Sequence, residues 1–285
     1  MIKKTKIGDF ELFFLHDGEF WLDGGGYFGV IPKVLWSRFI EPDEKNRIML
    51  KSNPMLVKTP EHNVLIDPGL GSKWTEKQIK IWKIKNEPSV IESLAEIGMT
   101  PEDIDVVVAT HLHFDHMGAS TKFDENGKAV PVFKNAVHYI QRGEWEDATH
   151  PNERTKGTYF LENYMPLHEA GLVKLIDGNV KVIPGISVEI TGGHTKHHQI
   201  IFAKSNGETA VYFGGIVSSI NHIKIAYTMG FDLYPVEIME SRRKLYPRAI
   251  EENWLVCLEH DPDYPAIYIK HDGKHYTYEP HKSWE

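Results

Sequence analysis

The sequence is poor in several features that would each point to a class of function. It has one cysteine, Cys257, in 285 residues, so no intramolecular disulfide can form. The setting of that residue, "WLVCLEH", reads as a buried strand and predicts a small apolar core thiol rather than a nucleophile. No apolar run reaches the length of a membrane span. The opening "MIKKTKIGDFELFF" has early lysines, but Asp9 and Glu11 break the apolar stretch that a secretion signal needs. The cytoplasm is the expected location. Positive charge is in deficit, with 32 Lys and Arg against 40 Asp and Glu and a net charge of −8, which argues against nucleic-acid and anionic-membrane partners. There is no internal repeat, low-complexity tract or long Ser/Gly/Pro linker, so one compact domain over 1–285 is expected. A serine elbow, a Walker loop and a GxGxxG following a strand are also missing. Nucleophilic-serine, nucleotide and Rossmann readings therefore have no support.

Runs of β-branched and aromatic residues closed by Gly, Pro or Asp predict strands at 10–18, 55–59, 63–69, 105–110, 136–140, 186–191, 209–215 and 254–261. Between them, "SVIESLAEIG" places Val90, Ile91, Leu94 and Ile97 on one helical stripe that ends in glycine. Thr100-Pro101-Glu102-Asp103 reads as a capped turn leading into the next strand. Strands alternating with helices predict an α/β protein whose sheets are covered by helices. Residues 19–40, "EFWLDGGGYFGVIPKVLWSRFI", follow neither period. Three glycines precede a dense apolar run, which suits a lid or pocket wall over a site, with a packed loop as the alternative. On the first reading Phe28 and Trp36 would touch substrate.

Histidine is the abundant component, with 16 residues, several in tight groups. "THLHFDHMGA" at 110–119 holds His111, His113, Asp115 and His116 within six positions. Such crowding costs desolvation unless a cation satisfies the lone pairs. His111 follows one predicted strand, His194 follows "VEITGG" and His260 ends "WLVCLE". Strand ends gather at one edge of a sheet, so these distant groups can meet in space.

"HLHFDH" resembles the HxHxDH signature of the metallo-β-lactamase superfamily. "LIDPG" at 65–69, "GGHTKHH" at 192–198 and "EHDP" at 259–262 match its other motifs in order. The resemblance extends from about residue 10 to 262 and implies a four-layer αβ/βα sandwich. "DGGGYFGVIPKVLW", "INHI" and "MGFDLYP" further resemble the branch that contains N-acyl homoserine lactonases. By this resemblance one metal site takes His111, His113 and His194, and the other Asp115, His116 and His260. One or two transition-metal ions are implied, zinc as the first choice and iron or manganese as alternatives. Asp67 would hold a ligand imidazole in the correct tautomer, with a turn-forming role before Pro-Gly as the alternative. His197 and His198 belong to the motif region but are not assigned to metal.

The sequence departs from the family at one position. Relatives carry an Asp bridging the two metals in a Gly-Asp pair, and "VYFGGIVSS" places Gly215 there. Asp232 does not replace it, since Asp-Leu-Tyr-Pro belongs to the branch. A weakly held or differently metallated second site follows, as does degeneration into a small-molecule binder. An aspartate restored at 215 is expected to tighten the second site, unless glycine is needed there for a backbone angle or close approach.

The implied activity is that of a hydrolase in which a metal-bound hydroxide attacks an ester-like or lactone substrate. Asp115 would be chiefly a ligand that also orients the water. His222 and Tyr227 are candidates for contact with substrate or leaving group, with a structural role equally open to each. A phosphodiesterase or thioesterase of the same fold is the alternative. The expected partner is a small molecule, and a homodimer is left open.

Overall fold

A computed structural model describes residues 2–285. Two seven-stranded sheets form its centre, and the strands of each follow chain order in space. The first runs Lys3–Ile7, Phe10–Phe14, Met55–Lys58, Asn63–Ile66, Val106–Val108, Val137–Gln141 and Val173–Ile176. Its first four strands pair antiparallel and its later pairings are parallel. The second runs Lys181–Ile183, Ile186–Ile190, Gln199–Ser205, Glu208–Tyr212, Leu255–Cys257, Ala266–His271 and Tyr276–Pro280. Only Glu208–Tyr212 and Leu255–Cys257 run parallel in it.

The sheets pack face to face because alternate residues of their strands are apolar. Leu12, Phe14, Val57 and Val64 meet Val188, Ile201, Ala203 and Leu255 in one buried cluster. Cys257 lies in that cluster, and burial raises its thiol pKa far above the usual range, as expected of an inert core thiol. The outer face of the first sheet packs Leu56, Leu65 and Val107 on Val90 and Leu94 of the helix Val90–Glu96. That helix starts at Ser89, whose hydroxyl and Glu92 form a capping box. The outer face of the second sheet packs Phe202, Val211 and Ile267 on Ile238, Leu245 and Ala249 of the helix Pro235–Glu251. The result is helix, sheet, sheet, helix: the four-layer sandwich. No described helix is long and apolar enough to cross a membrane.

Residues 19–40 are more regular than their composition suggested. Glu19–Asp23 is a strand paired with Arg47–Lys51, followed by the short helices Gly24–Phe28 and Lys33–Trp36. Phe28 and Trp36 are not among the residues that line the pocket over the predicted ligands. Both are buried, and their rings stack on each other at 4.9 Å. Trp36→Ser is therefore expected to cost about 3–5 kcal/mol of stability through the cavity it leaves. A urea melt reads the loss, and a KM effect graded by substrate length in a protein of unchanged stability would refute it.

Candidate metal centre

The strands that end nearest one another present the predicted ligands. Val106–Val108 runs into His111 and His113, and Leu255–Cys257 runs into His260. Ile186–Ile190 leads to His194, and Asn63–Ile66 leads to Asp67. Two backbone bonds fasten the "LIDPG" loop to the histidine motif: the Gly69 amide donates to the His116 carbonyl, and the Ala119 amide to the Gly69 carbonyl. The structure brings all six expected ligands together. Nitrogens of His111, His113 and His194 lie within 4.8 Å of one another, and so do donor atoms of Asp115, His116 and His260.

The rings are held by one nitrogen and offer the other. His116 Nδ1 donates to Asp67 Oδ2 at 2.7 Å, and His194 Nδ1 donates to Asp232 Oδ1 at 2.8 Å. His260 Nδ1 donates to the Lys51 carbonyl at 2.9 Å. The Thr110 hydroxyl donates to Asp67 Oδ2 at 2.6 Å, so His111 Nδ1 donates in turn to that hydroxyl, 2.9 Å away. Each Nε2 is thereby left as a lone pair. His111 Nε2 is buried with no hydrogen-bond partner, and a buried unpaired acceptor is costly unless a cation takes it. His113 Nδ1 lies 3.2 Å from His194 Nε2, both converging on one point. The donor set fits two ions, one among three imidazoles and one beside a carboxylate.

Electrostatics keep His111, His113 and Asp115 in ligating form. Burial, then the neighbouring imidazoles, hold His111 and His113 well below the usual histidine value, hence neutral. Burial alone would raise the Asp115 carboxyl, but the His116 and His260 imidazoles hold it well below the carboxylate range. Burial also disfavours charge on His116, and the carboxylates of Glu259, Asp67 and Asp115 outweigh it, pushing the ring up to about 10. An imidazolium so surrounded marks where a metal cation would sit in its place.

Gly215 lines this centre but leaves no room for the carboxylate that relatives carry. Its amide donates to His198 Nε2 at 3.0 Å, and a Cβ built on it would fall 2.6 Å from His194 Cδ2. Gly215→Asp would have to move His194, so the expected gain at the second site gives way to the close-approach alternative. Asp232 binds His194 Nδ1 and the Met229 amide, on the far side of the ring from the metal-facing nitrogen. Both nitrogens of His198 are engaged, by Thr191 and by Gly215.

Two further candidates lie away from the site. His222 is buried against the rings of Tyr27 and Phe28, with Nε2 donating to the Tyr27 carbonyl. Tyr227 lines a separate cleft with Lys224 and His275. The apolar pocket above the ligands, about 310 Å³, is instead walled by Leu22, Tyr27, Trp82, Phe114, Met229, Phe231 and Leu233. Leu22 and Tyr27 come from the 19–40 segment, which therefore supplies wall. Phe114, inside the histidine motif, stacks on Trp82 at 4.6 Å and on Phe160 at 5.4 Å.

Besides Asp232, sequence reasoning missed two carboxylates that build the centre. Glu144 is buried; it accepts from the Leu112 amide, the Tyr159 hydroxyl and the Thr195 hydroxyl, clamping the loops that carry His111, His113 and His194. Burial raises its carboxyl pKa, partly offset by those three donors. Glu259 is also buried and faces His116 and His260. The one available signal was a charged residue inside an otherwise apolar strand end, "VCLEH".

A probable metal-dependent hydrolase from Staphylococcus aureus is 33% identical, with a TM-score of 0.89 over 98% of this chain and 99% of that one. The N-acyl homoserine lactonase of Bacillus thuringiensis is 27% identical over 231 residues, 80% of this chain and 81% of the relative. AidC, a dizinc quorum-quenching lactonase solved with a product, shares the fold at a TM-score of 0.80 and 21% identity, over 99% of this chain and 97% of that one. Residues 49–260 match the family described as the metallo-beta-lactamase superfamily, and with the sandwich and the histidine-lined strand ends, the chain belongs to that superfamily.

Proposed function

We propose that the chain is a metal-dependent hydrolase of lactones or related esters with an apolar acyl tail. The observation that carries this is the pairing of two adjacent donor sets with an apolar pocket directly over them. His111, His113 and His194 would hold one ion, and Asp115, His116 and His260 the other, with zinc the first choice by analogy with the dizinc relative. Two such ions, when bound, bring the pKa of water toward neutrality and polarise a carbonyl oxygen.

The chain's own residues do the rest. Asp67 and Asp232 fix the tautomers of His116 and His194, so that Nε2 faces the centre. Asp115, ionised, accepts a hydrogen bond and so orients a water. Phe114, Trp82 and Leu22 exclude solvent and take the acyl tail. Arg154 is the one Lys or Arg lining the pocket, and its guanidinium is engaged by the carbonyls of Gly230 and Asp232. One cationic side chain in an otherwise largely apolar wall gives a polyanionic thioester little to pair with, which favours an uncharged carbonyl substrate.

The test is a panel of N-acyl lactones, esters, thioesters and phosphodiesters assayed with defined metal loading. Turnover of lactones or esters that chelation abolishes and metal restores is expected; fastest turnover of a phosphodiester, or activity indifferent to chelation, would overturn the reading. Trp82→Ala should raise KM about tenfold for tails of eight or more carbons and little for tails of four. Tenfold is about 1.4 kcal/mol, roughly the burial of two methylenes. Equal changes across chain lengths would remove Trp82 from the tail pocket.

A further inference from the structure

We infer that Glu259 is a ligand of the second ion and supplies the anionic charge that Gly215 cannot. The inference rests on the two-ion reading above and adds a seventh metal-binding residue to the six ligands that the resemblance implies.

The geometry comes first. Glu259 Oε2 lies 3.5 Å from His116 Nε2, and Oε1 lies 3.6 Å from His260 Nε2. These are the two nitrogens left free for metal, since Asp67 and the Lys51 carbonyl take the opposite side of each ring. Glu259 lines the same pocket as Asp115, and Asp115 Oδ2 is 3.2 Å from His260 Nε2. The carboxylate thus lies against both histidines of the second site, one oxygen to each.

Its surroundings supply no hydrogen-bond donor to Oε2. The side chain is 2% exposed, and Oε2 is buried without a hydrogen-bond donor. A carboxylate in that condition costs several kcal/mol unless a cation is beside it. The backbone, by contrast, is firmly placed: the Asn53 amide donates to the Glu259 carbonyl at 2.9 Å, and the His260 amide to the Ser218 carbonyl at 3.1 Å. A fixed backbone, an Oε2 that accepts no hydrogen bond and two metal-facing imidazole nitrogens alongside it together suit a metal ligand.

The departure at 215 then has a counterpart. Two neighbouring dications repel, and an anionic oxygen between or beside them offsets that repulsion. With the ring of His194 filling the space beside Gly215, the carboxylate cannot come from there. From Glu259 it can. The second site then has two carboxylates and two imidazoles, a harder and more anionic set than the three imidazoles of the first. That difference favours manganese or iron at the second site relative to the first.

The experiment measures metal binding itself, on the full chain stripped of metal. Wild type and Glu259→Gln are titrated with zinc and with manganese by calorimetry, their metal content is determined, and absorption spectra of the cobalt-substituted proteins are compared. Glu259→Gln is expected to keep one ion at wild-type affinity. The second should be weakened by at least the roughly 10–100-fold that loss of an outer hydrogen-bond partner costs, and the cobalt bands of one site should change. Two ions bound equally by both proteins, with superimposable cobalt spectra, would overturn the role of Glu259 while leaving the two-ion reading intact. Wild-type protein that takes up no ion would overturn the metal centre as a whole, and this inference with it. Should Glu259→Gln not fold, Glu259→Asp carries the test, because it keeps the charge but shortens the reach. Weakening confined to the second ion supports the inference, and unchanged affinity for both ions refutes it.

Discussion

His111→Ala is expected to lose the first ion and to lower kcat/KM by at least about 10³-fold, on the scale of deleting a principal electrostatic group from an active site. His111 is the hub of the cluster: its ring centroid lies 4.5 Å from that of His113, 4.0 Å from His116 and 4.7 Å from His194. Its Nε2 is buried and unpaired, and Thr110 fixes the ring from behind. Alanine removes one of three imidazoles, and no other side chain is positioned to replace it, since both nitrogens of nearby His198 are engaged. Elemental analysis with kinetics on a lactone panel checks the result. A variant that keeps full metal content and activity would show that this imidazole is not a ligand.

Asp67→Asn should nearly remove the second ion while leaving the fold standing, and the reason is a proton. Asp67 Oδ1 accepts from the Thr110 amide at 2.7 Å, and Oδ2 accepts from His116 Nδ1 at 2.7 Å. An asparagine of the same shape keeps its oxygen on the amide and turns its NH2 group toward His116. Nδ1 must then accept, which moves the ring proton to Nε2, the atom that faces the ion. Loss of affinity by about 10–100-fold or more is expected at the second site. The position has φ of +46°, which asparagine tolerates as well as aspartate does, so the backbone should not add to the cost. Parallel metal titration and thermal melting separate the two effects. A large fall in melting temperature with metal affinity unchanged would make Asp67 a turn residue only.

The six expected ligands were legible because ligand chemistry crowds unusual residues together, and four of them sit within "HLHFDH". The central strands were legible for a similar reason: Val106–Val108 is buried at every position, and only a covered strand sustains such a run. Glu144, Asp232 and Glu259 were not legible as parts of the centre. A lone carboxylate carries no pattern, and its role depends on where the fold aims it. Residues 19–40 were legible in part: Leu22 and Tyr27 supply pocket wall, while Phe28 and Trp36 pack against each other in the core, and apolar composition alone cannot tell a wall's inner face from its outer one. In the C-terminal tail, Tyr276 and Tyr278 alternate with polar residues in a strand and pack on the second sheet's outer core. Trp284 closes against Phe14 at 5.3 Å.

Each sheet follows chain order, so the centre draws on two successive stretches of the chain. Asp67 and the histidine motif come from the first sheet, while His194, Asp232, Glu259 and His260 come from the second. An ion held by both halves links them without a covalent bond, in a chain whose single thiol is buried. The link can form only after the sheets have docked, so it is absent from the early, partly ordered states of folding. Contacts of that kind leave the folding rate nearly untouched and slow unfolding instead. Metal therefore acts on the lifetime of the native molecule, lengthening it in proportion to the free ion concentration once that exceeds the dissociation constant.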